Sequence, residues 1–150
     1  MKKRFEDQGQ PIEQFSDLFL VRCPRCEACA RVTLKEPPPI GKSALFSPRR
    51  VTCRQCGYSK DWQGKSIARF GTYDWYFRLP LWLQTTCCGE SFWAFNNAHL
   101  DFIEDFVGAE LRGNALHHHA LATRLPGWMV QAKNRDEIMK AIARLKATLD

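Results

Sequence analysis

An α+β protein is what this sequence predicts, strands first and helices last, and three observations predict it. Two C-x-x-C pairs, Cys23/Cys26 and Cys53/Cys56, are interleaved with short runs that alternate as strands do. An aromatic-rich hairpin pattern follows them, and the C-terminal third carries apolar residues at helical spacing. The expected architecture is an N-terminal β-ribbon clipped by a metal, then a β-hairpin and two to three helices.

Residues 1–18 read as a polar lead-in, with a short helix expected over 11–18. Phe19-Leu20-Val21 is a strand delivering Cys23, and Ala30-Arg31-Val32-Thr33-Leu34 is a second. Arg50-Val51-Thr52 and residues 58–62 supply two more beside the second cysteine pair, so the ribbon module spans 19–62. Between the pairs, KEPPPIGKSALFSPRR holds three consecutive prolines, a glycine and Pro48, which forbid regular structure and predict a long exposed loop. The body, 63–150, begins with runs at 79–86 and 91–95 joined by Cys87-Cys88-Gly89-Glu90, a tight hairpin across which Trp82 and Trp93 are placed to pack. A helix capped by Asn96 or Asn97 follows, with Leu100, Ile103, Val107 and Leu111 on one face and Gly113 at its end. In the last helix Asn134 is the expected cap, with Glu137 completing a capping box. Ile138, Ile142, Leu145 and Leu149 form its apolar stripe, opposite a solvated face with Lys140, Arg144 and Lys146.

Composition narrows the function classes. With 45% hydrophobic residues and five Trp among the aromatics, the chain can build a core and is not a disordered one. MKKRFEDQGQ leads into no apolar signal region, and no stretch approaches the roughly 20 apolar residues of a membrane span. A cytoplasmic protein without a membrane role is expected. The net charge of +6 lies wholly in residues 1–60, which hold 12 Lys and Arg against 6 Asp and Glu. Four thiolates on a divalent ion would bring it to about +4, a modest bias toward anionic partners.

C-x2-C-x26-C-x2-C is the strongest signal in the chain. Two residues between cysteines let a tight turn aim both sulfurs at one ion, and two such knuckles close a tetrahedron, which predicts one structural Zn²⁺ on Cys23, Cys26, Cys53 and Cys56. The second knuckle ends in Gly57, where the chain must turn; the first has Glu27 there. The spacer also exceeds the roughly 15–20 residues of the usual template. A thioredoxin-like redox pair would need a βαβ unit, and none is readable.

Cys29, in CPRCEAC, offers an alternative ligand. Cys87 and Cys88 read as small buried residues beneath a turn, since neighbours on a strand point apart. His117-His118-His119 diverge by about 100° per residue on a helix and so form a polar face rather than a metal site. Gly41-Lys42-Ser43 resembles the end of a phosphate-binding loop, but the required earlier glycine is Glu36 and the prolines remove the N–H cradle. The one conceivable catalytic cluster is His99 and Glu90 with Cys87 or Cys88.

Arg25, Lys42, Arg49, Arg50 and Arg54, with Arg22 and Arg31, gather around the ribbon, and Phe46, Tyr58 and Trp62 are interleaved with them. Two readings stand open: phosphate contacts with rings stacking on unpaired bases, or a solvated basic surface whose aromatics turn inward as core.

The knuckles resemble the zinc ribbons of general transcription factor IIB and many other ribbon proteins over about residues 19–62. The segments LWLQTTCCGESFWAFNNAHLDFIEDFVGAELR and LPGWMVQAKNRDEIMKAIARL are similar to a group of small, uncharacterised bacterial proteins containing a transcription-factor-IIB-type zinc ribbon. The resemblance implies the four ligand positions and a bacterial cytoplasmic protein, and brings no activity with it. The expected function is therefore non-catalytic: a zinc-ribbon binding protein whose basic face engages nucleic acid or an acidic protein partner. The alternative is a toxin-immunity-type inhibitor using the aromatic hairpin or the helical face.

Overall fold

Two β-hairpins laid side by side form the N-terminal sheet. The computed structural model describes residues 15–149 except 39, 42, 65, 70 and 112–124. β1 (Leu18–Arg22), β2 (Cys29–Leu34), β3 (Arg49–Thr52) and β4 (Ser59–Trp62) run antiparallel in the order β1-β2-β3-β4. The four expected strands are all present. A separate hairpin joins β5 (Leu83–Cys87) to β6 (Glu90–Ala94), and α1 (Asn97–Leu111) and α2 (Arg135–Ala147) are the α-helices among the described residues of this α+β chain. Two 3₁₀ turns, Gly127–Val130 and Ala132–Asn134, lead into α2.

The register sorts side chains onto two faces because strand residues alternate. Phe19 pairs with Val32, Val21 with Ala30 and Val32 with Val51. These side chains share a core with Trp75, Tyr76, Leu81 and Phe95, all from beyond residue 62. Leu18 and Leu20, on the opposite face of β1, belong to a second core with Leu83, Phe92, Leu100, Ile103, Ile138 and Ile142. The sheet edge is therefore gripped from both sides: Leu20 N–H donates to the Phe95 carbonyl (2.8 Å) and its own carbonyl accepts from Trp82 N–H (2.8 Å).

Buried polar groups organise what apolar packing alone could not. The Asp74 carboxylate is wholly buried and accepts N–H bonds from Tyr76, Phe77 and Leu79, each at 2.7 Å. Burial pushes its carboxyl pKa up while these donors pull against it. Asn96 is the cap of α1: its Oδ1 accepts the His99 N–H (2.9 Å), and its Nδ2 donates to the carbonyls of Phe15 and Leu18. Gly71 lies on the Trp93 indole, where a Cβ would stand 2.9 Å from Nε1.

Several expectations are corrected. Trp82 and Trp93 do not pack on each other: Trp82 donates from Nε1 to Thr148 Oγ1 (3.0 Å), whereas Trp93 stacks on Phe95. Asn134 makes no capping bond to α2 and instead donates from Nδ2 to the Trp128 carbonyl (2.8 Å), so no capping box forms. Lys146 is not simply solvated, since its Nζ bridges Asp101 (2.8 Å) and Glu104 (2.6 Å) of α1. Residues 11–14 of the expected short helix, Gly113 and the histidine triplet lie outside the described residues, as does the Leu111 side chain; 15–17 form a turn into β1. Among the described residues no helix is long and apolar enough to cross a membrane.

Two stability effects are expected. Asp74→Ala strands three buried N–H groups and should cost about 2–3 kcal/mol, read from the urea midpoint. The second concerns His99, which stacks on Phe15 (ring centroids 4.8 Å) and accepts the Phe95 N–H on Nδ1 (3.0 Å). Burial pulls its imidazole down from 6.5 to about 4. The unfolded chain then binds the proton first, so stability should fall as pH drops from about 6.5 to about 4, by a total of about 3 kcal/mol. His99→Gln, which retains an acceptor, should flatten that limb of the pH–stability curve.

Candidate metal centre

Each cysteine pair forms the turn of one ribbon hairpin. Cys23 and Cys26 sit between β1 and β2, Cys53 and Cys56 between β3 and β4. The two turns have the same backbone bonding. Cys23 N–H donates to the Ala28 carbonyl (2.8 Å) and Glu27 N–H to the Cys23 carbonyl (2.9 Å); Cys53 N–H donates to Tyr58 (2.9 Å) and Gly57 N–H to Cys53 (2.9 Å). Glu27 has φ 66° and Gly57 φ 81°, so Glu27 takes the left-handed conformation that its partner position fills with glycine. The first knuckle thus forms without its glycine, at a local cost of about 1 kcal/mol.

Pairing of β2 with β3, which sets Arg31 opposite Thr52, brings both turns to one end of the sheet. The four Sγ atoms all lie within 4.8 Å of one another. Cys23 Sγ is 3.6 Å from Cys56 Sγ, and Cys26 Sγ 3.5 Å from Cys53 Sγ. A tetrahedron of roughly 2.3 Å metal–sulfur bonds has edges of about 3.8 Å, so the residues present fit a thiolate-bound ion. The N–H groups of Arg25 (3.3 Å) and Cys26 (3.5 Å) also point at Cys23 Sγ, supplying the outer hydrogen bonds a bound thiolate needs.

The electrostatics call for a cation. At Cys23 burial raises the thiol pKa, but the N–H groups of Cys26 and Arg25 and the neighbouring thiols of Cys56 and Cys53 outweigh it and bring it to about 6. At Cys26 the Ala28 N–H lowers the pKa, while burial and the sulfurs of Cys53, Cys56 and Cys23 prevail and push it up to about 12. Four sulfurs this close would repel one another if all were charged, a repulsion that a positive ion among them would relieve.

The remaining candidates scatter. Cys29 opens β2 on the outer face and packs against the helical core, apart from the four-sulfur group. Cys87 is buried as expected, but Cys88 is exposed. Cys88 and Gly89 have φ 59° and 77°, a primed turn that swings the Cys88 sulfur to 3.4 Å from that of Cys87, so the adjacent cysteines do not diverge. His99 follows the far end of β6 from this turn, roughly 15 Å of strand away. The conceivable Cys–His cluster is not assembled.

The basic residues divide as well. Arg49 is fully buried: its guanidinium lies 4.2 Å from the Tyr76 ring centroid and donates to the carbonyls of Ser16 and Ala44. It pins the lead-in and the proline loop and offers nothing to a partner. Arg50 is exposed but paired with Asp61 (2.7 Å), which Lys35 also bridges (2.9 Å). Arg25 is exposed over the Tyr58 ring (5.4 Å), Arg54 is exposed on the second knuckle, and Lys42 lies outside the described residues. Tyr58 and Trp62 pack against the sheet core, and only Phe46 of the three interleaved aromatics is exposed.

The fold and the cluster together define an α+β protein with four cysteines placed so that their sulfurs could hold one metal ion. No protein-family model, curated protein or solved structure matches the chain. Glu27→Gly is expected to raise stability by about 0.5–1 kcal/mol in thermal or urea unfolding, by relieving the left-handed strain at the first knuckle.

Proposed function

We propose that residues 19–62 form a zinc ribbon of the transcription-factor-IIB type around one structural Zn²⁺, and that the protein is a non-catalytic binding module of the bacterial cytoplasm. The observation that supports this best is the convergence of Cys23, Cys26, Cys53 and Cys56 within 4.8 Å. An all-thiolate tetrahedral set suits Zn²⁺, and four protein ligands leave no open position for substrate or water. Residues 19–62 are too few to hold themselves together by apolar packing, so the metal belongs to folding. The exposed arginines suit an anionic macromolecule, either nucleic acid or an acidic protein surface. Trp82 and Trp93 are both partly buried against the two cores, which gives the hairpin-based inhibitor reading less support than the basic face.

Elemental analysis of protein purified without added metal is expected to find one zinc per chain. Chelation or Cys53→Ser should abolish the near-UV dichroism of the packed aromatics, whereas Cys29→Ser should leave zinc content unchanged. A metal-free protein with an intact near-UV spectrum would overturn the reading.

A further inference from the structure

Among the described residues, the outer face of the ribbon sheet is covered along β1 and at the start of β2, where Cys29 meets the helical core. Leu18 and Leu20 meet the helical core there, and the end of α2 closes over them through the Trp82–Thr148 bond. Beyond that cover a groove of about 460 Å³ opens, lined by Leu18, Leu20, Cys29, Arg31, Thr52, Arg54, Asn97, Thr148 and Leu149. Its floor is a single row across the sheet, for Leu20 pairs with Arg31 and Arg31 with Thr52. The apolar side chains lie toward β1 and Leu149, and two exposed guanidiniums stand on the other rim.

We propose that this groove docks an acidic protein segment through one apolar side chain, with the segment's carboxylates on Arg31 and Arg54. The assignment deepens the reading of the protein as a binding module and rests on it. Charge complementarity carries the choice: among the described residues, the charged side chains that line the groove are both arginines. Arg forks suit planar carboxylates, and an apolar pocket beside them supplies the anchor that a charge pair alone lacks. Nucleic acid is disfavoured by the same lining, which among the described residues has no aromatic side chain on which a base could stack, and two arginines make too few phosphate contacts to track a strand. The basic surface expected around the proline loop is spent elsewhere, Arg49 in the core and Arg50 on Asp61.

The test uses the full-length, metal-loaded protein to select from a displayed random-peptide library, with single-stranded and duplex oligonucleotides as competitors. The expected result is enrichment of peptides that combine Asp or Glu with Leu, Ile or Phe. Affinity of the best synthetic peptide should fall about five- to tenfold in each of Arg31→Ala and Arg54→Ala. Both side chains are exposed, so zinc content and near-UV dichroism should hold, and Arg31→Lys should recover part of the affinity. Enrichment without acidic residues, affinity indifferent to both variants, or displacement of the peptide by oligonucleotides would overturn the proposal. A folded, zinc-loaded protein that selects nothing sinks the docking assignment alone, whereas a folded protein without metal sinks the ribbon reading first.

Discussion

Four sulfurs from two distant stretches of chain must share a space in which they cannot all ionise unaided. That constraint decides the layout of the N-terminal half. The two knuckles meet only if each is the turn of its own hairpin and the hairpins lie side by side with turns at the same end, and the β2–β3 register does this. The long spacer between the pairs then loses its oddity. Its excess length is the loop of residues 35–48, which closes the opposite end of the sheet and leaves the sulfurs where they are. Loop closure becomes costlier only slowly with length, so such an insertion is cheap.

The rest of the fold is anchored to this sheet by buried polar groups rather than by apolar contact alone. Arg49 ties the lead-in and the proline loop to Tyr76, Asp74 shapes the segment that lays Trp75 and Tyr76 under the sheet, and Asn96 fastens the start of α1 to the start of β1. Each satisfies backbone groups that irregular chain would otherwise bury unpaired. Irregular segments can thus complete the core with Trp75, Tyr76 and Leu81 without strand or helix of their own.

What was legible in the sequence follows the same division. Strands, hairpin, helices and the four cysteines all announce themselves through period and spacing, and the structure places them accordingly. Residues 63–78 carry no period and were opaque. Arg49 and Arg50 look equivalent as neighbours, yet strand alternation sends one inward to Tyr76 and the other outward to Asp61. Applying that alternation outward from Val51 would have separated them. Glu27 was readable as a turn residue only through its place in the knuckle, opposite Gly57, because its side chain does not favour the left-handed φ it adopts.

The metal site and the groove are joined through one short piece of backbone. Thr52 ends β3 in the groove floor, Cys53 follows with its sulfur in the cluster, and Arg54 turns back to the groove rim. The Cys53 sulfur and the Arg54 side chain therefore leave adjacent residues of one knuckle, and on the neighbouring hairpin Arg31 lies on β2, the strand that leaves the first knuckle. An ion held by both turns would limit the motion of the backbone that carries the two arginines, and a better-ordered backbone reduces the ordering entropy of binding. A structural metal in a small ribbon would not need to touch a partner to influence its binding, because Arg54 lies in the same turn as Cys53 and Arg31 on the strand that leaves the first knuckle.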